Sequence, residues 1–103
     1  MLEVIFRKEN LKEGIDYEWA TRKTGDRTDL VAHFFLGENG PNIEFFNAMQ
    51  VGVKKNASHD SIVETSYTEE FDGHDLVISN VEGFKAAAIM SSIAKTIKEE
   101  LDG

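Results

Sequence analysis

No cysteine occurs in the 103-residue chain. Disulfides, a thiolate nucleophile and every cysteine-based zinc site are therefore excluded. Proline occurs once, at Pro41, and no low-complexity tract, linker or internal repeat breaks the chain. No apolar run approaches the roughly 20 residues that span a bilayer. The apolar start, Leu2 to Phe6, is interrupted by Glu3 and followed by charges. It is too short for a signal segment and has no basic stretch before it, so a cytoplasmic protein without a membrane partner is expected. Phosphate-cradling, dinucleotide, zinc-protease and nucleophile-elbow motifs are all missing. No catalytic residue, metal ligand or cofactor is expected.

Bases are missing from one long segment. Between Lys55 and Lys85 there is no lysine or arginine, but there are Asp60, Glu64, Glu69, Glu70, Asp72, Asp75 and Glu82. The regions on either side are nearly balanced, so almost the whole net charge of -8 sits in this block. Such a balance argues against direct nucleic-acid binding, which needs cations for phosphate contacts.

What is present is a globular composition, 41% hydrophobic and 29% charged. The length suits one domain over residues 1–103, with a single core. Leu2, Val4 and Phe6 read as a short strand, and Asn10 to Gly14 as a turn. Ile15, Tyr17, Trp19 and Thr21 alternate with Asp16, Glu18, Ala20 and Arg22, the period of a half-buried strand. Thr24 to Asp29 reads as a loop, and Leu30 to Leu36 as a central strand. Residues 37–42, GENGPN, form the clearest break. Residues 43–53 are ambiguous: Ile43, Phe45, Met49, Val51 and Val53 fit a strand, while Pro41 and Gly52 suit the ends of a helix. The strand reading is favoured, which makes a hairpin across the break. Ala86, Ile89, Met90, Ile93, Ala94, Ile97 and Leu101 recur at three and four, so the C-terminal segment is an amphipathic helix. The expected fold is α+β: about six mainly antiparallel strands in meander order, with one C-terminal helix packed on a face.

The acidic block reads as a β-hairpin, Ser61–Phe71 and His74–Val81, turning at Asp72-Gly73. A two-residue loop places Phe71 opposite His74, Glu70 opposite Asp75 and Tyr67 opposite Ile78. Val63, Tyr67, Phe71, Leu76 and Ile78 then face the core, and Glu64, Ser66, Thr68, Glu70, Asp75 and Val77 face water. On this register His59 and His74 stand roughly 40 Å apart, so the repeated His-Asp is not a shared metal site. His59 reads as a loop residue, His74 as a hairpin-end residue and His33 as a strand histidine.

Two function classes follow. The first is a small non-enzymatic binding protein, inhibitor- or immunity-like, that docks a basic protein through Glu64, Glu70, Asp72 and Asp75. The second is a dimeric small-ligand-binding or catalytic domain, a homodimer, with His33, Tyr17 and Trp19 lining a pocket between sheet and helix. Its motive is the adjacent pairs Phe34-Phe35 and Phe45-Phe46, whose members point to opposite faces if both lie in strands.

Overall fold

In a computed structural model, the structure describes residues 7–39, 42–57, 61–68 and 73–102. Five strands form one antiparallel sheet: β1 (Arg7–Lys12), β2 (Ile15–Thr24), β3 (Arg27–Phe35), β4 (Val63–Thr68) and β5 (Gly73–Ile78). Helix α1 (Ile43–Asn56) follows β3, and α2 (Ala86–Asp102) ends the chain. The fold is α+β, as expected, but the sheet order β1-β2-β3-β5-β4 is not a simple meander. The chain leaves the sheet through α1 and re-enters at an edge, and β5 then inserts beside β3. The expected strand at Leu2–Phe6 lies outside the described residues.

Strand boundaries moved where turns are tighter than composition suggests. Asn10 to Lys12 extend β1, and the turn is confined to Glu13 and Gly14. Likewise Thr24 pairs with Arg27, leaving only Gly25 and Asp26 between β2 and β3. Gly25 has φ +62°, a conformation a side chain resists, and it stands at the first position of a two-residue hairpin loop.

Residues 43–56 are a helix, which overturns the strand reading. Phe45, Ala48, Met49, Gly52 and Val53 are buried, spaced three, four, seven and eight from the first. Ile43 and Asn47, which a strand would have sent the same way as Phe45, are exposed. The Asn42 side chain caps the helix by accepting from the Phe45 amide at 3.0 Å. Lys54 and Lys55 sit in its last turn, where cations complement the dipole. Gly52 lies inside the helix, against α2. A Cβ there would stand 3.2 Å from the carbonyl oxygen of Ile93.

Both helices cover the same face of the sheet. Leu30, Ala32, Phe34 and Leu36 join Leu76, Ile78, Ile15 and Tyr17 beneath Phe45, Met49, Met90, Ile93 and Ile97. Phe34 and Phe45 meet edge to face at 5.2 Å, fixing α1 on the centre of the sheet. The buried stripe of α2 is Ala86, Met90, Ile93, Ala94 and Ile97, with Ile89 and Leu101 at its margin. That is the stripe read from the sequence. Lys12 reaches Asp102 at 3.1 Å and ties the end of α2 to β1. Among the described residues no helix is long and apolar enough to cross a membrane.

Candidate functional site: the open face of the sheet

Side chains alternate along each strand, so the face opposite the helices has its own membership. Register pairs give it rows. One row crosses all five strands: Lys8 pairs with Glu18, Glu18 with His33, His33 with Asp75, and Asp75 with Ser66. A second holds Asn10, Asp16 and Phe35, and a third Ala20, Val31, Val77 and Glu64. No helix among the described residues lies on this face.

His33 is its centre. Nδ1 stands 2.5 Å from Oδ1 of Asp75, with the side chains 31% and 20% exposed. An ionised carboxylate can only accept, so Nδ1 carries the proton and donates. Glu18 lies on the other side of His33, so the imidazole stands between two acidic strand positions. The Lys8 ammonium lies 5.4 Å from the Phe35 ring centroid and covers an otherwise apolar spot. Asn10 donates to Asp16 at 2.8 Å.

The order Ser66, Asp75, His33 matters chemically. A nucleophilic relay needs the base next to the hydroxyl and the carboxylate behind the base. Here the carboxylate is in the middle, and Ser66 is a strand removed from the imidazole. Among the described residues no group of three acidic, histidine or cysteine side chains is placed to hold a metal ion.

Of the residues expected to bind a partner, Glu64 and Asp75 both stand on this open face, on neighbouring strands. Glu70 and Asp72 lie outside the described residues, as does His59. The expected register is corrected. Tyr67 pairs with His74 instead of Ile78, a slip of four residues, and Asp75 faces Ser66 instead of Glu70. Four residues, 69–72, now separate the strands. A slip of four is even, so the paired residues of β4 and β5 keep the faces assigned to them.

The second group is not brought together. Tyr17 and Trp19 belong to the helix-facing side, where Tyr17 is buried and Trp19 packs against the core. His33 points the opposite way. The Tyr17 hydroxyl donates to Glu9, and burial followed by that contact pushes its ionisation far above the usual phenol value. The phenylalanine pairs separate for different reasons. Phe34 is core and Phe35 lies on the open face, by strand alternation. Phe45 and Phe46 are neighbours on a helix, Phe45 buried and Phe46 beside His74 at 6.0 Å.

Two residues carry more than their sequence positions suggested. His74 is buried among Phe45 at 5.3 Å, Tyr67 at 5.2 Å and Phe46, and its Nε2 makes no hydrogen bond among the described residues. Its alternation with Leu76 and Ile78 was the available signal. Asp29 is buried within β3, where Arg22 donates to it at 3.0 Å and Thr24 at 3.1 Å. The sequence pattern places it in a loop, Thr24 to Asp29, but it pairs with Arg22 inside the β2–β3 ladder.

Compared with models of known protein families, with curated proteins and with solved structures, the chain matches none.

Proposed function

We propose that this is a small, non-enzymatic, cytoplasmic protein-binding domain of inhibitor or immunity type, which docks a basic partner on the β4–β5 side of its open sheet face. One observation carries the reading. A sheet face that no described helix covers presents Glu64 and Asp75 on neighbouring strands, both within the stretch from residue 56 to 84 that has no lysine or arginine. A desolvated docking surface of one sign accelerates association with an oppositely charged partner and rejects like-charged ones. Asp75 is held in place by His33, so its charge is presented in a fixed position. Glu70 and Asp72 add to the same charge block in sequence.

His33 lies on the face opposite Tyr17 and Trp19, so these three do not line one pocket as the small-ligand reading requires. The test is capture of a partner at low and at high salt, with wild type beside a Glu64→Gln, Glu70→Gln, Asp75→Asn variant. The expected result is a partner held by wild type at low salt and lost, or weakened at least tenfold, in the variant. Equal retention by both would overturn the proposal.

A further inference from the structure

Strand β4 is the last in the sheet, with no strand among the described residues beyond it. Its outward backbone groups can be assigned. The Ser79 amide donates to the Ile62 carbonyl at 2.9 Å, so that pair is hydrogen-bonded. In an antiparallel ladder bonded and non-bonded pairs alternate. Glu64 and Ser66 therefore turn their N–H and C=O groups toward β5, while Val63 and Thr65 turn theirs toward the free edge. An edge of this kind is a template for another strand.

The surfaces on the two sides of that edge differ. On the helix side a groove of about 410 Å³ runs between β4 and α1, lined by Val51, Val53, Val63, Thr65, Gln50 and Lys54. On the open side a hollow of about 430 Å³ is lined by Glu64, Ser66, Asp75, Val77 and Thr65. Thr65 borders both. An added strand alternates its side chains between the two. One set would enter a largely aliphatic groove, and the other would lie against carboxylates.

We infer that β4 receives an extended segment of a partner protein in which basic and aliphatic residues alternate, added to the sheet edge by backbone hydrogen bonds at Val63 and Thr65. The basic residues meet Glu64 and Asp75, and the aliphatic ones meet Val51, Val53 and Val63. This rests on the acidic docking face proposed above and specifies how the partner engages it. Main-chain bonds supply the affinity common to any strand, and the alternate pockets supply the selection.

The probe is a capped hexapeptide alternating lysine and valine, compared with a peptide of the same composition written as three lysines then three valines. Binding is followed by titration, and amide exchange is read at Val63 and Thr65. The expected result is at least tenfold tighter binding of the alternating peptide, with slowed exchange at both amides. Thr65→Pro, which removes an outward-facing N–H and is tolerated at an edge, should abolish that preference. Should this variant not fold, the exchange measurement on wild type decides alone. Equal binding of both peptides without protection at Val63 and Thr65 would overturn strand addition and leave charge-based docking standing. Binding of neither would overturn both. Protection of these amides that grows with protein concentration alone would assign the edge to a second copy, and would also overturn the inference.

Discussion

His74 is a buried imidazole among aromatic rings, and burial pushes its protonation below the ordinary histidine range; the Asp75 charge opposes this without reversing it. The sign of the pH dependence follows. The unfolded chain takes up a proton near pH 6.5, and the folded chain takes it up only at lower pH. The contribution is therefore complete above about pH 6.5 and is lost as pH falls toward the folded value, at most about 1.4 kcal/mol per pH unit. Urea unfolding at pH 7.5 and 5.5 should show wild type losing stability on acidification by more than His74→Leu does; equal slopes would refute this. Asp29 works in the opposite sense. Its burial would raise its pKa, but hydrogen bonds from Arg22, Thr24 and the Asn80 backbone hold it below the usual carboxylate value. Its contribution is present above about pH 3.9 and lost as pH falls through the depressed folded value. Arg22→Ala leaves a buried carboxylate with less support. Because Arg22 is itself half exposed, the expected cost is about 1–2 kcal/mol, read by urea unfolding at pH 7.

Helix α1 shows where pattern reading fails at the scale of an element. Over residues 43–53 both periods find apolar residues, because Phe45, Met49 and Val53 belong to the strand set and the helix set alike. The end signals that fit only the helix are Asn42 ahead of the first turn and Lys54-Lys55 in the last. Asn42→Ala should cost about 1 kcal/mol in thermal or urea unfolding. Gly52 reads as a helix terminator in the sequence, yet it lies inside α1 and against the backbone of Ile93 in α2. A larger side chain must push against the Ile93 backbone, which cannot rotate away. Gly52→Val is expected to destabilise by about 1–3 kcal/mol through overpacking. A stabilised Gly52→Val variant would mean that helix propensity outweighs the contact. The hairpin shows the complementary case. Its faces were legible from alternation, but its register was not. Pairing Tyr67 with His74 sets His74 between Tyr67 and the aromatic side of α1, a reward that no local turn rule contains.

At the scale of the molecule, charge and architecture combine. A net charge of -8 concentrated in one block repels itself in the compact state. Raising sodium chloride from 10 to 200 mM shortens the screening length from about 30 Å to under 10 Å. The melting temperature should rise by a few degrees over that range, and by less in the charge-neutralised hairpin variant. A fall would mean that the ion pairs at Arg22 and Lys12 outweigh the repulsion. The sequence alone determined the α+β class, the strands at β2 and β3, the C-terminal helix with its buried stripe, and the faces of Glu64 and Asp75. Each is written in a local period, two or 3.6, or in a run of one charge sign. Only the tertiary structure decided the insertion of β5 beside β3, the four-residue slip of the hairpin, the separation of His33 from Tyr17 and Trp19, and the contact of His33 with Asp75. Those depend on which strands become neighbours, and the neighbours are chosen by how α1 and α2 cover the sheet, through contacts between residues far apart in the chain.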